Sequence, residues 1–391
     1  MLRRLTRTLP GNRLTLLCNG ADYFPALIAA IQSARHEILL ETYIYRVDTT
    51  GQRIGQALQQ AAQRGVDVCL LVDGFGSADL PSSFRTELQQ AGVKLMFFRP
   101  EISRFALQRH RLRRLHRKLA VIDGRIGFVG GINMLNDNDH PDEPPRYDYA
   151  LQIEGPLLGP LHAAATAMWR RTAWMQLRHD WAAKRPLQPM RAPVGPMPAA
   201  LLVRDNLKHR HAIETAYLSA IRSARHEIVI ANAYFLPGYT FRHALLAAAR
   251  RGVKVTLLLQ GKRDHALLQY ACKGFYRRFM NAGIEIHEYT RSFMHAKVAV
   301  IDGEWLTVGS SNIDPFSLLL AREANVVANY RPLAQTLRAD IFRAIETEAR
   351  RVKKREVVRA RWVYGFLAWM ALLIVRALME LVGYGHREYR E

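Results

Sequence analysis

His116-Arg117-Lys118-Leu119-Ala120-Val121-Ile122-Asp123-Gly124 and His295-Ala296-Lys297-Val298-Ala299-Val300-Ile301-Asp302-Gly303 are one pattern written twice, with the same internal spacing. Each copy is followed at the same distance by a loop of small residues ending in asparagine, Gly130-Gly131-Ile132-Asn133 or Gly309-Ser310-Ser311-Asn312. A lone His-x-Lys carries little information, but two registered copies mark a duplication. The echo continues outward. Ile31–Ile38 resembles Ile221–Ile228, Arg64-Gly65-Val66 matches Arg251-Gly252-Val253, and Ala91-Gly92-Val93 answers Ala282-Gly283-Ile284, all in the same order. Self-similarity at so long a period means two related halves rather than a solenoid of short repeats.

Within each half, helical and β-rich runs alternate. A helix ending near Ala34 is followed by a strand at Ile38–Ile44, a helix at Gln52–Gln63 and a strand at Val66–Val72. The second half repeats this with Ile228–Tyr234, Phe241–Arg250 and Val253–Leu259. Such alternation predicts an α/β fold with a mostly parallel sheet covered on both faces. His36 and His226 fall at helix-to-strand junctions and read as structural. Residues 184–198 contain Pro186, Pro189, Pro193, Pro196 and Pro198 with Gly195, which cannot continue a helix or a central strand. They are predicted to link a first domain, 1–183, to a second, 199–347, with 348–391 as a C-terminal segment.

At 391 residues and 49% hydrophobic content, the chain is long enough for two domains with cores of their own. Its 56 Lys and Arg against 34 Asp and Glu give a net charge of +22, which calls for an anionic partner, either nucleic acid or an anionic membrane. Cys18, Cys69 and Cys272 are widely spaced, odd in number and form no Cys-x-x-Cys pair. Neither a disulfide framework nor a zinc site is therefore expected, and the site should face a reducing compartment. The acidic stretch Asn136–Glu143, with His140 among prolines, reads as an exposed loop, and no metal or other cofactor is expected. Arg3, Arg4 and Arg7 are not followed by an apolar core, so no secretory signal is expected and the cytosolic side is the default.

Near the C-terminus, Arg350, Arg351, Lys353, Lys354, Arg355, Arg359 and Arg361 run into the apolar, aromatic stretch Trp362–Val375. As a helix that stretch is about 21 Å long, against a hydrocarbon core of roughly 30 Å. It is too short to span alone and reads as a membrane-interfacial helix. Packing on protein, or a tilted span using the continuation past Arg376 and Glu380 to Val382, are the alternatives.

On a strand, alternate side chains share a face, so His116 and Lys118 point one way and Arg117 and Leu119 the other; His295 and Lys297 behave likewise. Asp-Gly after each apolar run is a hairpin-turn signal, and the returning strand delivers the small-residue loop beside the histidine. Bringing the halves together would place His116, His295, Lys118, Lys297, Asn133 and Asn312 around one phosphate, with Ser310 as a further phosphate ligand. Ammonium and amide groups can then stabilise the developing phosphorane charge without a metal. One imidazole attacks phosphorus while the other donates a proton to the leaving alcohol. Asp123 and Asp302 are counted with the catalytic motif, although turn formation is their first role. By their order in the chain, Asp148 and Glu323 are better placed to orient an imidazole from a neighbouring strand.

These residues resemble the phospholipase D superfamily, whose signature is a duplicated His-x-Lys-x4-Asp followed by Gly-Gly/Ser-x-Asn. Further segments are similar to the B-type branch of the bacterial cardiolipin synthases: Arg204-Asp205-Asn206, Ala231–Gly238, Gln260-Gly261 and Gly309–Pro315. The similarity runs from about Leu14 to Asn329. It implies two tandem α/β/α sandwich domains related by a pseudo-two-fold axis. It also implies phosphatidyl transfer between two phosphatidylglycerols with release of glycerol, with His116 as nucleophile and His295 as acid/base. Internal symmetry leaves the reverse assignment open. The expected partners are phosphatidylglycerol, other anionic phospholipids and the cytoplasmic face of the inner membrane, with oligomerisation possible and no nucleic acid. This branch lacks N-terminal membrane helices, so contact with lipid would fall to the C-terminal segment and to the basic, apolar stretch Arg104–Arg114. A phospholipase D-type hydrolase and a nuclease are the competing activities, and a non-catalytic lipid-binding relic is the third class.

Overall fold

The computed structural model describes residues 8–100, 113–138, 144–183, 187–205, 209–262, 266–315, 317, 321–359, 370 and 373. Apart from Met370 and Leu373, the run Trp362–Val375 lies outside these residues, as do residues 104–112 of the basic stretch and His140. Among the described residues no helix is long and apolar enough to cross a membrane.

Seven strands of the first half are β1 (Leu9–Cys18), β2 (Glu37–Thr42), β3 (Asp67–Asp73), β4 (Lys94–Phe98), β5 (Lys118–Ile122), β6 (Ile126–Gly130) and β7 (Tyr149–Glu154). Their counterparts are β8 (Met197–Arg204), β9 (Glu227–Asn232), β10 (Lys254–Gln260), β11 (Glu285–Tyr289), β12 (Lys297–Ile301), β13 (Trp305–Gly309) and β14 (Glu323–Asn329), and β15 (Ala349–Arg351) is added at one edge. All join one sheet in the order β15-β11-β10-β9-β12-β13-β14-β8-β1-β7-β6-β5-β2-β3-β4. Without β15 this order reads the same from both ends, which puts the pseudo-two-fold axis between β8 and β1.

The expectation of a mostly parallel sheet is corrected. Only β2-β3-β4 and β9-β10-β11 run parallel; the motif hairpins β5-β6 and β12-β13 and their neighbours run antiparallel. The Asp-Gly turns explain this. Asp123 and Gly124 have φ of 51° and 59°, and Asp302 and Gly303 have 52° and 64°, as a tight type I′ turn requires. The predicted domain limits also shift. Met197 and Pro198 belong to β8 rather than to a linker, and β1 pairs with β8 at Leu9↔Ala199 and Asn12↔Met197. Residues 349–351 pair with β11 and Val352 is buried, so the second half extends beyond residue 347.

The apolar core has three parts. One face of each half carries its own cluster, around Leu27, Ile54 and Leu70 in the first and Ile213, Phe241 and Leu257 in the second. The third cluster is shared. Val121, Leu151 and Ile153 of one half pack with Val298, Val308 and Val326 of the other, together with the helices Leu158–Met175 and Arg331–Glu348. Strands β5 and β12 are buried along their whole length, so the residues at their ends are held rigidly.

Candidate active site

Two short β-bridges cross between the halves, Leu115 with Arg322 and Tyr147 with Met294. The His116 N–H donates to the Arg322 carbonyl at 3.0 Å, and the His295 N–H donates to the Tyr147 carbonyl at 2.8 Å. Each motif is thereby stitched to the other half one residue before that half's acid. His116 Nδ1 lies 2.9 Å from Glu323 Oε1, and His295 Nδ1 lies 2.7 Å from Asp148 Oδ2. The orienting role expected of Asp148 and Glu323 is thus matched by contact, and the pairing is crossed: each half's histidine is held by the other half's carboxylate. With Nδ1 engaged, Nε2 of each ring is left for a substrate.

Lys118 and Lys297 are buried beside their histidines. Lys118 Nζ donates to the His116 carbonyl at 2.8 Å, and Lys297 Nζ donates to the His295 carbonyl. Burial drives the ammonium groups towards neutrality, to about 7 for Lys118 and about 8 for Lys297, against the pull of Glu323 and Asp148. The same burial lowers His116, with Glu323 resisting. It lowers His295 further, reinforced by the charges of Lys297, Lys118 and His116. Asp148 is pushed up to about 7 by burial, opposed first by Lys297. These mutual effects join both histidines, both lysines and both acids in one electrostatic unit.

The asparagine loops follow directly on β6 and β13. Asn133 accepts the Ile44 N–H at 3.1 Å through Oδ1, which frees its amide N–H groups to donate, and it lines a cleft with Arg146, Asp148 and His295. Asn312 is buried, with its amide oxygen unpartnered among the described residues. Ser310 requires a correction. Its hydroxyl donates to Glu323 Oε2 at 2.5 Å and accepts the Ala324 N–H at 3.0 Å, so it braces the acid of His116 instead of facing a phosphate. The first half has Gly131 there, where a Cβ would come within 2.3 Å of Asp148 Oδ1. Only glycine lets that carboxylate stand where it does.

Asp123 and Asp302 are corrected as well. Five residues of extended chain put Asp123 about 16 Å from Lys118. Its carboxylate is spent on the N–H groups of Arg35, His36 and Glu37, each at 2.8 Å. Asp302 does the same for Arg225, His226 and Glu227 at 2.8–2.9 Å. Both acids therefore tie the hairpin tip to the start of β2 or β9 and take no part in the site. His36 and His226 are structural, as read, through their backbone N–H groups.

Some neighbours escape sequence reasoning. The Tyr43 ring lies 4.9 Å from that of His116 and 5.3 Å from Lys118 Nζ, with no motif to announce it. On the opposite face of the strand, Arg117 makes a buried two-point pair with Glu41 at 2.6 and 2.8 Å; in the second half Ala296 and Ala231 take those places. Among the described residues no group of three or more His, Cys, Asp or Glu is arranged to hold a metal ion.

A family model described as cardiolipin synthase, phospholipase D-like domain, matches residues 27–140 and 217–345, one copy over each motif. The chain belongs to this family. It is 39% identical to cardiolipin synthase B of Escherichia coli (strain K12) over 96% of this chain and 90% of that protein. It is 32% identical to the probable cardiolipin synthase YwiE of Bacillus subtilis (strain 168) over 84% of this chain and 65% of that one. The phosphatidylserine synthase of Haemophilus influenzae Rd KW20 shares the fold, with a TM-score of 0.71, 15% identity and coverage of 98% and 97% of the two chains. The family's duplicated domain accounts for the palindromic sheet, and the two matched segments contain both histidines and both lysines.

Proposed function

We propose that this phospholipase D-like cardiolipin synthase transfers a phosphatidyl group from one phosphatidylglycerol to a hydroxyl of a second, releasing glycerol. The crossed pairing of His116 with Glu323 and His295 with Asp148, beside Lys118 and Lys297, supports this most strongly. It supplies a nucleophile and a proton donor of the same residue type, each fixed by a carboxylate, around buried cations suited to one phosphate.

In the first step, Nε2 of neutral His116 attacks phosphorus and the P–O bond to glycerol breaks. His295 gives its Nε2 proton to that oxygen. Burial and neighbouring cations make His295 a strong conjugate acid, and the phosphate's own negative charge holds the proton there until the leaving oxygen needs it. Lys118, Lys297, Asn133 and Asn312 hold the non-bridging oxygens. In the second step, His295 takes the proton from the acceptor hydroxyl as its oxygen attacks phosphorus, and the N–P bond to His116 breaks. Catalysis takes place at the membrane surface, on its cytoplasmic side.

The test incubates purified protein with phosphatidylglycerol vesicles and follows cardiolipin, phosphatidic acid and glycerol by mass spectrometry, with a DNA control. Cardiolipin and glycerol in equal amounts are expected. Phosphatidic acid alone would replace transfer by hydrolysis, and DNA cleavage without lipid turnover would replace it by a nuclease. A phosphoryl group trapped on His295 would exchange the two histidine roles.

A further inference from the structure

The large apolar side chains left exposed among the described residues up to 359 are Phe75, Trp174, Met175 and Leu177, at 55%, 65%, 49% and 80%. They are not scattered. Strands β2, β3 and β4 run parallel and β5 antiparallel to them, with Glu41 opposite Leu119. The last residues of β2–β4 and the first of β5, Lys118, therefore share one rim of the sheet. Phe75 lies two residues beyond β3. The helix Leu158–Met175 ends at the same rim, where Gln176 Nε2 donates to the Phe97 carbonyl at 2.6 Å. The four exposed apolar groups thus stand at the end of the sheet that carries His116 and Lys118.

The helix end is built in an unfavourable way. The Arg178 N–H donates to the Ala173 carbonyl at 2.9 Å and the Leu177 N–H to the Trp174 carbonyl at 3.2 Å, the two bonds of a Schellman cap. Its left-handed position is normally glycine. Here it is Leu177, at φ 59°, a large side chain that accepts backbone strain and is turned into water. Cations surround the apolar group. Arg171 shares a helix face with Trp174 and Met175, and the Arg114 guanidinium lies 5.1 Å over the Phe75 ring. Buried Arg322, whose Nε has no hydrogen-bond partner among the described residues, is lowered to about 10 by burial and by the charges of Arg171, Arg117 and Arg99. An excess of guanidinium around exposed tryptophan and leucine is complementary to an anionic bilayer surface.

We infer that this rim of the first half, with Trp174, Met175 and Leu177 as inserted side chains, is the surface by which the protein docks on an anionic membrane. Docking there presents His116 and Lys118 to lipid headgroups. Among the described residues the second half shows no equivalent: its matching helix, Arg331–Glu348, runs directly into β15. The inference rests on the phospholipid reading of the site, and its test separates the two.

Co-sedimentation with vesicles of mixed phosphatidylglycerol and phosphatidylcholine is measured for wild type, Trp174→Ala/Leu177→Ala and Leu177→Gly. The double variant should lose about 100-fold in vesicle affinity and Leu177→Gly about tenfold, from the apolar area withdrawn. Because glycine suits the left-handed position, Leu177→Gly should melt no lower than wild type, so its weaker binding cannot be assigned to misfolding. Transfer from phosphatidylglycerol dispersed in detergent micelles should stay within about twofold for both variants, since the site itself is untouched. Variants that bind vesicles like wild type would overturn the docking surface. Wild type that binds vesicles but makes no product in micelles would overturn the transferase reading and leave the docking surface standing.

Discussion

Lys118 and Lys297 are buried ammonium groups whose proton affinities are pressed down to about 7 and about 8 from an ordinary 10.5, and two predictions follow from this. Between those values and 10.5 the unfolded chain binds more protons than the folded one, so the lysines contribute stability that rises with pH through this window and is absent below it. Lys118→Met should therefore raise the melting temperature at pH 7, by an amount equivalent to about 1–2 kcal/mol, while abolishing transfer. A lower melting temperature would mean that the bond to the His116 carbonyl outweighs the buried charge. In the free enzyme, kcat/KM should fall as pH rises past 7 to 8, because a neutral amine no longer attracts phosphate. The alkaline limb of kcat should lie higher, since bound phosphate holds the protons on. Coincident limbs in the two profiles would contradict this. Ser310 supplies a third prediction. As a brace for Glu323, Ser310→Ala should lower kcat about tenfold and leave KM unchanged, whereas a phosphate ligand would raise KM.

At the scale of the element, the Asp-Gly hairpins were legible because turn chemistry is local: both residues must take positive φ, and the sequence pattern names residues that do so. What the acids bind was not legible. The N–H groups of Arg35, His36 and Glu37 lie some 87 residues away in the chain from Asp123, and no spacing rule reaches that far. The same limit hid the antiparallel centre of the sheet, since periodicity reports burial and not the direction of a neighbouring strand. It also misassigned Ser310, whose partner Glu323 is brought beside it by the pairing of β13 with β14. Asp123→Ala should lower stability by about 1–3 kcal/mol through loss of bonds to a charged acceptor. Saturating kcat in the surviving folded fraction should match wild type. A kcat loss comparable to that of His116→Ala, with folding intact, would return Asp123 to the catalytic group.

At the scale of the whole molecule, duplication was plain in the sequence but the exchange between halves was not. Internal repeats point to one site shared by two like units, but the bridges at Leu115–Arg322 and Tyr147–Met294 and the crossed histidine–carboxylate contacts show how each half completes the other's part of it. The halves also share a core, with β5, β6 and β7 facing β12, β13 and β14 through Val121, Leu151, Val298 and Val326. Pairing of β1 with β8 continues the sheet across the axis. Neither half can unfold without exposing the apolar face of the other and separating a buried histidine from its carboxylate. The two halves should therefore melt together in one calorimetric transition, with equal calorimetric and van't Hoff enthalpies, despite their length and the repeat. Leu306→Ala, in the shared core, should lower that single transition by the equivalent of about 2–5 kcal/mol without splitting it. Two resolved transitions, with only one moved by Leu306→Ala, would show that the halves are independent domains, and the crossed pairs would then be contacts between units that fold separately.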